Sequence, residues 1–524
     1  MIHPYAHYPE RAAQRWPQQM ALVDGARRRT YEELDARTAR LASALLRLGL
    51  RPGERVAIVQ ENCIEYVEAA IAIARAGGAL VPLLGALTAT EHAFMVSDAE
   101  ARFVLALRGA AIRRARDAAA TSGADVLVLD EDGATGAGTT SLSALAAREG
   151  ERCPAVDRSP DSLAQILYTS GTTGHPKGVT HSFASVSAAM GEWASAFSVG
   201  RGDRLLGQLA LSHFGGRAMD ACWVAGATLV ILPAAEPAAM LSAIAEHRIT
   251  MMLVVPTLLR MLLDHSDAGS ADLSSLRAVV YAAAPAAPAL VRRSLDRLGS
   301  VLYTGFGQTE AYGLATCMGP EEHVAALEAA TERLRSVGRE CAAFAQVRIC
   351  GEDGDALPPG EIGEVCVCAP WVTPGFWKRP DLDTARLRDG WLRTGDLGRV
   401  DEEGYVFLAD RKEDKIITGG FNVYPAEVEA ALSEHPAVAE CAVFAVPDSR
   451  WGEAVRAAVT LRPGAQAEPD ALLAFCRERL ARFKVPKAID VMSELPKSGV
   501  GKILRRALRA PWWKDHEGDI HGAE

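Results

Sequence analysis

No stretch of this 524-residue sequence reaches the roughly 18 continuous apolar residues that a membrane-spanning helix needs. The best candidate, Cys222 to Leu232, is short, ends at Pro233 and reads as a buried strand. Met1 to Glu10 lacks the basic-then-apolar pattern of a signal peptide, so a cytoplasmic location is expected. Positive charge is not in excess: 56 Lys and Arg stand against 66 Asp and Glu, a formal net charge of -10. A nucleic-acid binder normally shows the opposite balance, so no nucleic-acid partner is expected. The short runs Arg27-Arg28-Arg29 and Arg505-Arg506 read as solvated faces. The ten cysteines contain no CxxC pair. Cys366 and Cys368 sit two apart on an expected strand and face one way, which suits neither a zinc knuckle nor a redox pair. Reduced, mostly buried thiols are expected.

What is present is an ordinary globular composition, 49% apolar and 23% charged. The length calls for two or three packed units. Residues 31–50 read as an amphipathic helix ending at Gly49, Val56–Val59 as a strand, 64–76 as a helix and Val126–Leu129 as a strand. This alternation predicts an α/β architecture with mostly parallel sheets. After residue 340, short strands such as Gln346–Cys350 and Glu364–Cys368 alternate with Gly-rich turns, a β-rich pattern. A charged run at Asp410–Asp414 separates two apolar strands and marks the expected domain boundary.

Five clusters carry chemistry. Tyr168-Thr-Ser-Gly-Thr-Thr-Gly-His-Pro-Lys-Gly178 follows the apolar strand Ala164–Leu167, and a helix is expected after it. Gly171, Gly174 and Gly178 permit close backbone approach. The hydroxyls of Thr169, Ser170, Thr172 and Thr173 can meet phosphate oxygens, and Lys177 adds a point charge. No Gly-Lys-Ser/Thr ends the loop, so it is not a Walker A motif. Tyr303-Thr-Gly-Phe-Gly-Gln-Thr-Glu310 is the second cluster: Phe306 offers a stacking face, and Glu310 a hard carboxylate suited to Mg²⁺. Thr394-Gly-Asp396-Leu-Gly398 is the third. The fourth runs from Asp410-Arg411 to Gly419-Gly420, and the fifth places Lys502 in a Gly-rich loop near the end.

Together, in this order, the clusters resemble the ANL adenylating superfamily over roughly residues 10–510: acyl-CoA synthetases, nonribosomal adenylation domains and luciferases. The resemblance implies a large N-terminal domain, residues 1–410, of two α/β sheets plus a small β-barrel-like subdomain. A small mobile α+β C-terminal domain, 411–524, would follow. It implies that Thr169, Ser170, Gly171, Thr172, Thr173, Gly174 and Lys177 hold the ATP phosphates. Phe306 would stack on adenine beside Ala284, Asp396 and Arg411 would hold the ribose, and Thr309 would touch the α-phosphate. Glu310 would bind Mg²⁺, and Lys502 would bridge carboxylate and α-phosphate. Gly419 and Gly420 would line the CoA tunnel. Glu413 stands at the hinge, where the family usually has Asp or Lys.

The acyl pocket is expected from Leu211–Arg217, Tyr281–Pro285 and Tyr303–Gly307, with His213 as a gate near the carboxylate. Phe214, Gly216, Ala282, Ala283 and Gly305 would make it apolar and lined by small residues. Arg217, at a helix start, is expected to face solvent. No Asp in Leu211–Arg217 matches the family's amino-acid motif, which argues against an amino acid, and the apolar pocket favours a hydrophobic acid: fatty, aromatic, alicyclic or terpenoid. The expected enzyme is an AMP-forming acyl-CoA synthetase using ATP, Mg²⁺ and CoA. Loading of an acyl carrier protein, a homodimer, and a catalytically silent nucleotide- or CoA-binding relative stay open.

Overall fold

The computed structural model describes residues 4–514 except 60, 131–137, 149–155, 170–175, 285, 330, 341–344, 413, 419–420, 449 and 498–502. Two compact units form, one from Met1–Val347 with Val367–Arg393, the other from Arg348–Cys366 with Thr394–Glu524.

The first unit contains two large sheets. One runs, in spatial order, Arg339–Glu340, Thr316–Met318, Leu302–Phe306, Ala278–Tyr281, Met251–Val254, Arg204–Gly207, Thr228–Ile231, Met20–Asp24 and Arg27–Thr30. Its strands from Leu302–Phe306 to Met20–Asp24 are parallel. The other runs Gly375–Phe376, Lys177–Ser182, Leu163–Thr169, Ala79–Leu83, Arg55–Val59, Ala101–Leu107, Asp125–Leu129 and Thr140–Ser141. Continuous apolar runs such as Val56–Val59 form these strands because a parallel strand covered on both faces has no side to give to polar residues.

The core between the sheets draws Leu205 and Leu229 from one, Val56, Ile58 and Leu80 from the other, and the helices Tyr31–Arg47, Ile64–Arg75 and Phe183–Ala196. A capping box of Thr30 and Glu33 starts the first helix. Every residue of Ile64–Arg75 is buried, its charged ones included. Buried charge requires partners. Arg27 bonds Glu65, Arg29 and Arg37 bond Glu68, and Arg75 bonds Asp35. The Arg27–Arg29 run is therefore not simply a solvated face: two of its members neutralise a buried acidic helix.

Two further expectations change. Cys222–Leu232 is not one strand but the end of the helix Gly216–Ala225 and the strand Thr228–Ile231. Gly226, at φ 72°, ends that helix, and a Cβ there would strike the Trp16 ring. A strand, Lys177–Ser182, follows the phosphate loop, and the helix comes only after it.

In the second unit, a sheet of Phe421–Val423, Ile416–Thr418, Gly452–Leu461 and Val438–Asp448, with Ala488–Val491 on the third of these, packs helices on both faces. Val428, Leu432, Leu472 and Cys476 cover one face, and Leu508 with Leu495 the other. Arg505 is not a solvated charge either: it bonds Glu429 at 2.7 Å and Asp414 at 2.9 Å. Trp513 ends the helix Arg505–Trp513, and its indole N–H donates to the Ala445 carbonyl. Among the described residues no helix is long and apolar enough to cross a membrane.

Candidate active site

Parallel neighbours end on the same edge of a sheet, and open α/β sheets bind ligands outside the carboxyl ends of their strands. Arg204–Gly207, Met251–Val254, Ala278–Tyr281 and Leu302–Phe306 are such neighbours. His213 and Phe214 lie in the turn that follows the first, Ala282–Ala284 follow the third, and Gly305 to Glu310 end the fourth. The three segments expected to form the acyl pocket therefore share one sheet edge.

Asn62 pins the first segment. Its amide NH₂ donates to the carbonyls of Leu209 and Leu232, and its carbonyl accepts from the Leu211 N–H at 3.1 Å. His213 is half-buried, with Nδ1 2.8 Å from Ser212 Oγ. Phe214 begins an aromatic row: ring centroids lie 6.0 Å apart for Phe214 and Trp193, 5.1 Å for Trp193 and Phe197, and 5.2 Å for Phe197 and Tyr303. Gly216 and Gly305 have no room for a side chain, since a Cβ would press into the carbonyl oxygens of Leu211 and Thr316. Ala283 sits at φ 68°, in the left-handed region that alanine seldom occupies. Ala282 is buried and Ala284 exposed.

Arg217 does not face solvent. It is 8% exposed, lies 3.0 Å from the buried Asp220 carboxylate, and stacks 3.6 Å from the Tyr312 ring centroid. Tyr312 donates its hydroxyl proton to Gln165 at 3.1 Å and stands 3.4 Å from Asp220. Burial pushes the Asp220 carboxyl upward, and Arg217 opposes that shift. An arginine at a helix start was expected to face water; what buries it here is the stack on Tyr312, nearly a hundred residues away in sequence.

The phosphate loop joins the ends of a hairpin. Thr169 and Lys177 are register partners across Leu163–Thr169 and Lys177–Ser182. Tyr168 anchors the loop's first end by donating to Asp98 at 2.5 Å. Ser170, Gly171, Thr172, Thr173 and Gly174 lie outside the described residues, as do Glu413, Gly419, Gly420 and Lys502. Thr309 and Glu310 form a single 3₁₀ turn just past the strand that ends in the buried Phe306. The Glu310 carboxylate is half-buried and takes no hydrogen bond or ion pair among the described residues. Asp396 and Arg411 are register partners on antiparallel strands, and Asp396 is buried.

Sequence reasoning missed Asn62, Gln165, His181, Asp220, Tyr312 and Thr373. His181 carried a signal: it shares a strand face with Lys177 and Val179, a polar ring among inward positions. It is wholly buried, and burial pushes its ring down to about 3. His92 and His323 are also buried and held below their ordinary value of about 6.5. The unfolded chain binds protons at these rings between those values while the folded chain does not, so stability falls as pH drops below about 6.5. A lower urea midpoint at pH 5 than at pH 7 is expected. His92→Gln, which keeps a donor for the Leu84 carbonyl, should flatten that slope.

A family model described as AMP-binding enzyme matches residues 9–377, and one described as AMP-binding enzyme C-terminal domain matches 427–502. The chain is 36% identical to a feruloyl-CoA synthase from an Amycolatopsis species, covering 96% of this chain and 98% of that one. It is 36% identical to the fatty acid–[acyl-carrier-protein] ligase ScoC of Streptomyces coeruleorubidus, over 96% and 95%. Among solved structures it resembles the amide bond synthetase McbA from Marinactinospora thermotolerans, with a TM-score of 0.87, 32% identity and coverage of 97% and 99%. The chain belongs to the AMP-binding enzyme family, the ANL adenylating superfamily. Within that family it is an acyl-CoA synthetase-like ligase.

Proposed function

We propose that this enzyme activates a hydrophobic carboxylic acid with ATP, releasing pyrophosphate, and then passes the acyl group to the thiol of CoA. The carrying observation is the Thr309–Glu310 turn hydrogen-bonded to the hairpin that bears the phosphate loop. It brings Thr309 and Glu310, whose carboxylate has no partner among the described residues, next to the strand that leaves the loop expected to hold the triphosphate.

The charges set the chemistry. A carboxylate oxygen attacks the α-phosphorus, and the bond to the pyrophosphate oxygen breaks. Two anions meet in that step, so Lys177 and Lys502 are assigned to neutralise them. The CoA thiolate then attacks the acyl carbon, and the C–O bond to AMP breaks. Among the described residues no group of three or more His, Cys, Asp and Glu could hold a metal. That fits Mg²⁺, which is commonly held by one or two carboxylates together with substrate phosphates and water. Glu310 is assigned as that carboxylate. When bound, Mg²⁺ supplies positive charge at the phosphate oxygens. Asp396 and Arg411 are assigned to the ribose and Phe306 to adenine. His213 is assigned beside the substrate carboxylate, and Gly419-Gly420 to the CoA tunnel.

A hydrophobic acid is supported by the aromatic row from Phe214 to Tyr303, and by Arg217, whose charge is already met by Asp220. The feruloyl-CoA synthase relative supports an aromatic acid as the first to try. The division into residues 1–410 and 411–524 belongs to this reading and is supported by family matches that stop on either side of it. So does a cytoplasmic location. A second reading, transfer to the phosphopantetheine thiol of a carrier protein, is favoured by the ScoC relative.

The test supplies Mg²⁺-ATP, CoA and a panel of aromatic, fatty and small dicarboxylic acids, with products read by mass spectrometry. AMP, pyrophosphate and an aromatic or long-chain acyl-CoA are expected. Lys502→Ala should block that reaction while still converting a supplied acyl-adenylate. Acyl-AMP without acyl-CoA would favour the carrier protein. Absence of pyrophosphate release with every acid would sink both readings.

A further inference from the structure

The Thr309–Glu310 turn is too short to hold its own position. It is one turn of 3₁₀ helix, entered from extended Gln308 and left through Tyr312 at φ 53°, a conformation that a bulky residue keeps only when its surroundings impose it. Two contacts from outside fix its backbone. His181 Nε2 stands 2.8 Å from the Thr309 carbonyl oxygen. That oxygen can only accept, so the neutral ring donates from Nε2. The Thr373 N–H donates to the Glu310 carbonyl at 2.7 Å.

Both contacts lead back to one strand. His181 lies on Lys177–Ser182, the strand that leaves the phosphate loop. Thr373 Oγ1 is 2.7 Å from the carbonyl oxygen of Thr180, on the same strand, and 2.7 Å from that of Gly375, whose strand pairs with it. Tyr312 closes the arrangement: its ring lies 4.6 Å from the His181 ring, and its hydroxyl reaches Gln165, the register partner of His181. His181 is fully buried, and among the described residues nothing bonds its Nδ1. A buried ring that spends one nitrogen on a backbone carbonyl 128 residues away is a spacer with a single hydrogen-bonded job.

We infer that His181 is a positioning residue for adenylation, holding the Thr309–Glu310 turn in register with the strand Lys177–Ser182 through the Thr309 carbonyl, with Thr373 as its auxiliary. The inference rests on the proposed roles of that turn and loop. The tie sets how far the turn stands from the strand that begins at Lys177. An error of about 1 Å in such a spacing costs on the order of a hundredfold in rate. It touches the nucleotide half of the reaction and has no bearing on thiol attack.

The experiment compares wild type with His181→Gln, which keeps a donor where Nε2 stood, His181→Leu, which fills the space without one, and Thr373→Val. Binding of Mg²⁺-ATP without acid is measured by calorimetry. Pyrophosphate release and conversion of a supplied acyl-adenylate to acyl-CoA are measured separately. His181→Leu should weaken Mg²⁺-ATP binding and slow pyrophosphate release, each by about tenfold or more, while acyl-adenylate conversion stays within about twofold. His181→Gln should recover most of the loss, and Thr373→Val should show the same split, smaller. Equal losses in both half-reactions, or no rescue by Gln, would overturn the positioning role. If His181→Leu fails to fold, a wild-type-like Gln variant with a selective loss in Thr373→Val upholds it, and any other pairing overturns it. Wild-type protein that releases no pyrophosphate with any acid would refute the functional reading itself, and this inference with it.

Discussion

Replacing Asp220 alone by leucine should destabilise the first unit by about 3–5 kcal/mol, and replacing Arg217 and Asp220 together should restore much of that loss. Both side chains are buried, at 8% and 2% exposure, and 3.0 Å apart. Either single change strands a charge in a dry interior. Without Asp220 the stranded group is the Arg217 guanidinium over the Tyr312 ring; without Arg217 it is the Asp220 carboxylate, whose pKa burial already raises. Removing both leaves apolar volume, which proteins tolerate better than one unpaired ion. The check is the urea midpoint of each single variant and the double, followed by a signal from the first unit such as Trp193 fluorescence. The result also decides what Arg217 does. If it reads a second substrate carboxylate, Arg217→Leu should lose activity on dicarboxylic acids and keep its stability. If it is a structural cation, stability falls and the order of preferred acids does not change.

What was legible in the sequence follows from how far apart the deciding atoms are. The strands Arg55–Val59 and Asp125–Leu129 were legible because burial on both faces leaves an unbroken apolar run. The helix Tyr31–Arg47 was legible from its amphipathic period and the glycine after it, Gly49. The strand after the phosphate loop was not, because Lys177, Gly178 and Ser182 dilute the β-branched signal of Val179 and Thr180. Cys222–Leu232 hid a helix end and a strand behind one apolar run. Gly226 was the available clue, since a glycine at a helix end commonly takes φ > 0. Gly305 was expected among the small residues lining the acyl pocket; it lies within a strand and is needed where the Thr316 carbonyl comes close. The chemistry-bearing residue types were visible as motifs. Their supports Asn62 and His181 were not, because each acts on backbone brought near only by the fold, and Asp220 was not, because the burial that makes its pair with Arg217 matter comes from the fold.

Glu310→Gln should lower the rate of pyrophosphate release by about 10²–10³-fold and leave thermal stability nearly unchanged. The two halves of that expectation come from different atoms of one residue. The backbone carbonyl of Glu310 accepts the Thr373 N–H and belongs to the scaffold, and the substitution keeps it. The carboxylate is half-buried and makes no hydrogen bond or ion pair among the described residues, so removing its charge breaks no contact that the described residues make. The hairpin beside the Thr309–Glu310 turn is the one proposed to hold the triphosphate, and the proposed partner of the Glu310 carboxylate is the ligand's Mg²⁺, which hard oxygen donors suit. The charge matters most when negative charge moves onto pyrophosphate, so adenylation should suffer far more than transfer from a supplied acyl-adenylate, in which no phosphoanhydride bond to pyrophosphate is cleaved. Titrating Mg²⁺ separates the causes. A variant whose half-saturating Mg²⁺ rises, with part of the rate regained at high concentration, has lost a metal ligand. A variant equally slow at every Mg²⁺ concentration has lost only an electrostatic or orienting group. Wild-type rates throughout would remove Glu310 from the site.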